Sequence, residues 1–585
     1  MSERTKPINV SLEEVTFAVD CAAGRKAGTL LFGNAKVLNI FTQSIEETNV
    51  LIAGRMIAGI GDYQQANQVI DLQGKYLAPG LIDGHIHIES SLVTPAAYAA
   101  GVLPRGVTGI VCDPHEIANV AGVAGIRWLL EQSEGLPFDV WVTVPSCVPS
   151  TTMETSGATL GLAEMNALLQ QPRVVGVAEI MSFPAVIAAD SQNLSKALLA
   201  ESFRKSPEGH APGISGNDLQ AYLASGITSD HESTTLEEGL EKLKAGLFLM
   251  VREGSVTRNL EALLPLIKPI YGDRIGFVTD DRLPHDLLRE GGVDTLVRMA
   301  IDKGVDPLYA VRCASYNTAR HYRLPRRGTI APGYMADLAV IDDLKHYHVV
   351  ATYKEGKKVA EDGKLAHIPE QRHVNASPVL NTVKLPKLSK ESFVIKASTK
   401  ARCVKAIHYQ VLTEEIVVTP KLEQHQIVSD TERDYLKLIC LERYGKTNNI
   451  GVGLVHGFAL QAGALASTVG HDHHNLLAVG VNDDDLLLAC RHLENLGGGF
   501  VAVNNGKILA DVPLPIGGLI ADEPLESMRD KLDKLEAAAT TLGNKLPAPF
   551  MTLSFLGLAV IPELRLTDMG LVNVMQSKLV PLNVG

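Results

Sequence analysis

Two histidines one residue apart, His85 and His87, stand near the end of the run YLAPGLIDGHIHIESS at residues 76–91. Turn residues Ala78, Pro79 and Gly80 precede a short apolar stretch, so the pair falls at the end of a strand. Side chains repeat every two residues along a strand, so both imidazoles leave one face, Asp83 with them, and can converge on one cation. A same-face pair at a strand end, followed by polar residues, suits a catalytic metal site. Two solvated histidines are the alternative, and the downstream residues decide. Polar residues recur where later apolar runs end: His115 and Glu116 in CDPHE, Glu179 in GVAEI, His210 in GHAPG, His231 in SDHES, Arg252 and Glu253 in VREGS, Asp280 and Asp281 in VTDD. Any one of these is ordinarily a helix cap or a loop hydrogen bond. Their ordered recurrence argues for ligands gathered at one place.

That place requires a scaffold with every strand end on one rim. From residue 81 to about 324, apolar strand candidates alternate with amphipathic stretches at 117–132, 159–170, 217–224, 236–245 and 256–267. Eight βα units point to a (β/α)8 barrel in residues 77–324, an α/β fold whose active site is built at the C-terminal strand ends. Before it, residues 12–23 read as a helix and residues 29–70 as short strands with tight turns. Residues 325–385 return to that texture, so 1–76 and 325–385 are expected to form two halves of one β-sandwich domain with the barrel inserted between them. Residues 367–391 are rich in Pro, Lys and Ser and read as a linker. Residues 386–585 form a C-terminal α+β domain, with helices expected at 431–444, 483–496 and 525–541.

Composition narrows the class. At 585 residues the chain exceeds one core, and 46% hydrophobic with 21% charged residues is a globular balance rather than a disordered one. A net charge of -12 argues against a nucleic-acid surface. The seven cysteines are scattered with no CxxC pair, as expected for free thiols in a reducing compartment. No signal-type apolar segment and no run of about 18 apolar residues occurs, so no membrane association is expected and the cytoplasm is the expected location.

The order His-x-His, Glu, His, His, Asp resembles the amidohydrolase superfamily, and PGLIDGHIHIES and GTIAPGYMADLAVID are similar to its motifs at the barrel entry and at the return to the β-domain. Within it, LPRGVTGIVCDPHEIANV, VPSCVP, VAEIM, FVTDDR and GHDHHN resemble bacterial-type adenine deaminases, over nearly the whole chain. The mononuclear deaminases place a catalytic Glu shortly after the fifth-strand His, whereas APGISG follows His210 here. Dihydropyrimidinase-like members bridge their metals with a carboxylated Lys, whereas the fourth strand here offers Glu179. The PCxxC element of cytidine-deaminase-type enzymes is absent.

The resemblance implies hydrolytic deamination of adenine to hypoxanthine and ammonia by a hydroxide shared between two divalent cations, in purine salvage or catabolism. Another binuclear amidohydrolase acting on a cyclic amide or N-acyl group is the alternative. It implies His85, His87 and Asp280 around one ion, His210 and His231 around the other, and Glu179 between them. The metal would be Mn or Fe(II), with Zn a further option. Lowering the pKa of water from about 15.7 to about 7 removes roughly 12 kcal/mol from forming hydroxide, more than the roughly 3–5 kcal/mol expected of a proton shuttle. Asp280 would carry the hydroxide proton to the departing amine, and Glu89, Glu116 and Asp281 are alternative donors to N1. His115, Glu116, Arg252, His471 and His474 are candidate substrate contacts, with VGHDHHN reaching the barrel mouth or an additional metal. Cys112 and Cys147 read as buried thiols. The expected partners are a small purine and, by resemblance, a second copy of the chain in a dimer.

Overall fold

The computed structural model describes residues 10–367, 374–408 and 411–584. The beginning of the polar N-terminus and residues 368–373 of the expected linker lie outside the described residues. Helix Leu12–Ala22 starts at Ser11, whose hydroxyl accepts from the Glu14 amide while the Glu14 carboxylate accepts from the Ser11 amide. Its Ala18 and Cys21 pack on Leu31, Leu51 and Met56 of the first sheet.

Strand Tyr76–Pro79 holds that nine-stranded sheet together. It pairs in parallel with Gly28–Asn39 on one side and antiparallel with Leu338–Asp343 on the other. Strands from before and after the intervening chain therefore share one hydrogen-bonded sheet, and the intervening chain loops out of it.

The looped-out part is a curled parallel sheet. Strands β1 (Leu81–His87), β2 (Val107–Cys112), β3 (Asp139–Val144), β4 (Val174–Ile180) and β5 (Ser206–Gly209) are neighbours in that order. Strands β6 (Ser229–Asp230), β7 (Phe248–Arg252) and β8 (Ile275–Val278) form a second parallel run, and β9 (Asp280–Asp281) pairs with β1. The two runs meet where the Thr228 amide donates to the Pro207 carbonyl at 3.0 Å. Every residue of β1, β2 and β4 is buried, which explains why β2 and β4 read as near-continuous apolar runs rather than alternating ones. Helices His115–Gln132, Leu162–Leu169, Ser191–Ser202, Gly216–Ala224 and Leu236–Lys244 follow β2 to β6 in turn, so the strands all run the same way and their C-terminal ends share one rim. The helix expected over 256–267 is only Leu260–Leu263, after which Pro265 enters a 3-10 turn at Leu264–Leu266.

The C-terminal part contains an eight-stranded sheet with helices Asp483–Leu496 and Leu525–Thr541. The helix expected at 431–444 is instead strand Leu436–Leu441, all six residues buried between Ile450–His456 and Leu476–Gly480. Leu, Lys and Glu are good helix formers, but burial on both faces overrides that preference. The single charge in the strand is neutralised where Lys437 Nζ donates to Asp483 Oδ1 at 2.7 Å.

This part lies against the rim. Asp568 accepts from the Thr155 amide (2.9 Å), the Thr155 hydroxyl (2.7 Å) and Asn475 Nδ2 (3.2 Å), joining the loop after β3 to two C-terminal segments. Lys446 Nζ donates to the carbonyls of Ser156 and Gly157, both at 2.8 Å. Among the described residues no helix is long and apolar enough to cross a membrane.

Candidate active site

The rim gathers side chains from five strand ends. His85 and His87 close β1, with their Nε2 atoms 3.3 Å apart. His87 Nδ1 donates to the Asp113 carbonyl at 3.0 Å, which turns Nε2 inward. From the end of β4, Glu179 presents Oε1 3.6 Å from His87 Nε2 and 4.0 Å from His85 Nε2. Its Oε2 lies 2.6 Å from His210 Nδ1 and 3.4 Å from His231 Nε2, beyond β5 and β6. Asp280 Oδ1 is 3.1 Å from His87 Nε2 and 3.6 Å from His85 Nε2. His85 also stacks on His231, with ring centroids 4.2 Å apart. These six side chains thus converge, and only His210 is more than marginally exposed.

Asp280 is held from behind. Its φ of 59° lies in the left-handed region, uncommon for a residue with a Cβ. Arg252 Nη1 donates to Asp280 Oδ2 at 2.8 Å, while Arg252 Nη2 donates to Glu232 Oε2 at 3.0 Å and Nη1 contacts the other Glu232 oxygen. Glu232 also lies 3.3 Å from His231 Nε2 and 3.6 Å from His210 Nδ1. Burial opposes ionisation of Asp280, but the Arg252 charge prevails and keeps its carboxyl well below the usual range. Glu179 is likewise held low, against its burial, by His210 and His231.

Asp83 shares the rim but is tied into the scaffold. Its Oδ1 accepts from the Thr279 and His85 amides at 3.1 and 3.4 Å, and its Oδ2 from the Thr279 hydroxyl at 2.6 Å. Asp281 Oδ1 accepts from the Ser90 hydroxyl at 2.5 Å, and burial together with the Asp280 charge pushes its carboxyl up. Burial also displaces the carboxyls of Asp83, Glu253 and Glu89 upward. One Glu89 oxygen accepts from the Ile117 amide at 3.1 Å, the other has no partner, and burial with the Glu116 charge raises this carboxyl to about 7. Glu253 points away, accepting from the Leu260 amide at 3.2 Å.

The C-terminal loop carrying VGHDHHN meets this rim. His471 Nδ1 comes within 2.6 Å of Glu116 Oε1, His474 Nε2 touches Glu116 Oε2, and Asp472 Oδ1 lies 3.6 Å from His115 Nε2. Burial opposes protonation of His471, but the Glu116 charge raises it to about 9. An apolar pocket bounded by Ser90, Leu92, Phe500, Phe550 and Met551 has His471 in its wall, and the His471 ring stacks on Phe555 at 4.6 Å.

Clusters able to hold a cation include His85, His231 and Asp280, then Glu179, His210 and His231, then His87, Asp113, His115 and Glu179, all buried except the partly exposed His210. Sequence reasoning missed Glu232 and Asp113, and treated Asp472 only as part of its histidine cluster. SDHES and CDPHE carry the first two beside residues already singled out, and that adjacency was the available signal.

The Amidohydrolase family model matches residues 76–365, and the Adenine deaminase C-terminal domain model matches residues 410–578. "Adenine deaminase" of Kosmotoga olearia is 43% identical over 97% of this chain and 98% of its own length. "Adenine deaminase" of Desulfatibacillum aliphaticivorans is 46% identical over 93% of this chain and 95% of its own length. Among solved structures, dihydropyrimidinase from Brevibacillus agri aligns over 58% of this chain and 96% of that one, at 15% identity and a TM-score of 0.45. Because such relatives match from end to end, including the C-terminal part that packs on the rim, the chain belongs to the adenine deaminase family of amidohydrolases.

Proposed function

We propose that the chain hydrolyses adenine to hypoxanthine and ammonia at this rim. The observation that carries the proposal is Glu179, whose two oxygens each face a different pair of histidines. We read the curled sheet as a (β/α)8 barrel inserted in the β-domain, with the C-terminal α+β domain covering its mouth.

The donor set fits divalent cations. Buried imidazoles and carboxylates at this density need positive charge among them, and the carboxylates that Arg252 pairs with are Asp280 and Glu232. His85, His87 and Asp280 would hold one ion, His210 and His231 the second, and Glu179 both. Mixed nitrogen and oxygen donors suit Mn or Fe(II), with Zn a further option. Such ions supply Lewis acidity and acidify water at neutral pH.

The chain's own groups do the rest. Adenine enters through the apolar pocket beside His471, where a flat heterocycle leaves water. Asp280, kept ionised and oriented by Arg252, takes a proton from the attacking water and passes it to the departing amine. Glu89, with a free oxygen and a carboxyl raised toward neutrality, donates the proton that N1 needs as oxygen bonds to C6. One water is consumed, the C6–N bond breaks, ammonia leaves, and the proton remaining on the C6 oxygen returns to Glu89. The buried free cysteines fit a reducing cytoplasm, and a homodimer is the assembly we expect.

Ammonia release from adenine by metal-loaded protein, beside a panel of lactams and N-acyl amines, tests the reading. Turnover of the panel without turnover of adenine overturns it.

A further inference from the structure

Behind His115, on the side facing away from Glu179, a second group of buried ligand-type side chains meets. His115 and Glu116 come from the first turn of helix His115–Gln132, Cys147 from the loop after β3, and Asp472 from the C-terminal loop. The ligand atoms of His115, Cys147 and Asp472 all lie within 4.8 Å of one another, and all three residues are buried. His115 Nε2 is 3.2 Å from Glu116 Oε1 and 3.6 Å from Asp472 Oδ1. A tetrahedral ion with bonds of about 2.0–2.3 Å separates its ligand atoms by about 3.3–3.7 Å, so His115 Nε2 already stands near that spacing from Glu116 Oε1 and Asp472 Oδ1.

The remaining hydrogen-bonding capacity agrees. His115 Nδ1 donates to Asp113 Oδ2 at 3.0 Å, leaving Nε2 with its lone pair toward the group. This is the carboxylate–histidine arrangement that orients metal ligands. Asp472 Oδ2 and both Glu116 oxygens are buried without an aligned hydrogen bond, although His471 Nδ1 is 2.6 Å from Glu116 Oε1 and His474 Nε2 touches Glu116 Oε2. Among the described residues no Lys or Arg forms an ion pair with Glu116 or Asp472.

We propose a third divalent-cation site, with His115, Cys147, Asp472 and Glu116 as ligands. Binding displaces the Cys147 thiol proton to solvent as the sulfur–metal bond forms. A thiolate and an imidazole beside two carboxylates select Zn(II) over Mn(II), so the site takes a softer ion than the oxygen-rich centre next to it. Because Asp472 lies in the C-terminal part and the other three ligands lie at the rim of the curled sheet, the ion ties the two together. His115 and Glu116 are then occupied by the ion and do not touch the purine. The site does not depend on the deaminase reading.

Wild-type protein loaded with Mn(II) and Zn(II) and then dialysed is expected to hold about three ions per chain, at least one of them Zn(II). Full Co(II) substitution is expected to add a near-ultraviolet thiolate-to-Co(II) charge-transfer band. Cys147→Ser is expected to hold one ion fewer and to lack the band. Two or fewer ions in wild-type protein, or no thiolate band in its Co(II) form, overturns the site, so a variant that fails to fold leaves the wild-type measurement decisive. Three ions without adenine turnover would overturn the deaminase reading alone, and two ions with turnover would overturn the third site alone.

Discussion

His210 Nδ1 stands 2.6 Å from Glu179 Oε2, while the other oxygen of the same carboxylate faces His87 at 3.6 Å. One side chain thereby addresses both the end of β1 and the chain beyond β5. A monodentate role would use only one of these oxygens. Glu179→Gln keeps the shape but replaces one oxygen by a donor that cannot ligate. It is expected to lower adenine turnover by at least about 10³-fold, equivalent to about 4 kcal/mol, and to reduce bound metal. Near-wild-type turnover in that variant would show that Glu179 does not join the two halves of the centre.

Arg252 donates to both Asp280 and Glu232, so it acts on the reaction by holding Asp280 rather than by binding purine. Arg252→Lys supplies the charge without the planar fork that spans two carboxylates. We expect kcat to drop about 10–100-fold, the range typical of lost outer-shell partners, with KM for adenine little changed. A large rise in KM at constant kcat would instead place the guanidinium on the substrate.

Glu89 is raised to about 7, first by burial and then by the Glu116 charge. As the donor to N1 it must be protonated, so kcat/KM should decline as pH rises through that region. Glu89→Gln keeps the amide contact but has no proton to give. It should slow the reaction by about 10²–10⁴-fold and flatten the alkaline limb of the profile. An unchanged limb in the variant assigns the proton to another group, with Asp281 next in line.

The centre was legible because chemistry at strand ends sets polar residues against apolar runs. His85 and His87 keep the period-two spacing at the end of β1, although the pairing of β1 with β2 shifts register between Asp83 and Ile86. Glu232 was not legible for the complementary reason. The period-two rule turns it away from His231, but β6 ends at Asp230, and beyond it the backbone lets neighbouring residues converge. The strand Leu436–Leu441 was mistaken for a helix because its burial comes from tertiary neighbours rather than from its own spacing. The meeting of His471 with Glu116, 355 positions apart by their numbers, depends on how the C-terminal part docks, and no local pattern encodes that.

Docking itself can be tested at Asp568, which accepts from the Thr155 amide and hydroxyl and from Asn449 and Asn475. Asp568→Ala leaves buried donors on both sides without an acceptor, at about 1–3 kcal/mol each before relaxation. We expect a lower thermal midpoint and earlier proteolysis between the rim and the C-terminal part. Wild-type protease resistance in this variant would mean that Lys446 and the apolar contacts suffice.

The stability of the joint between the curled sheet and the first sheet should depend on pH in a defined direction. Asp139 Oδ2, at the start of β3, accepts from Arg327 Nε at 2.7 Å and from Lys354 Nζ at 2.5 Å. Burial pushes its carboxyl up, but the Arg327 and Lys354 charges prevail and hold it below the ordinary range. The folded chain therefore keeps this group ionised to lower pH than the unfolded chain does. Its contribution is complete above the unfolded value of about 4 and is lost as pH falls from there toward the folded value. Asp139→Asn should cost about 1–3 kcal/mol near neutral pH, between a surface pair and a fully buried one. Denaturant titrations of both proteins should show the gap closing as pH drops below about 4. A gap of constant size across that range would mean that shape and packing at this position, rather than its charge, hold the two sheets together.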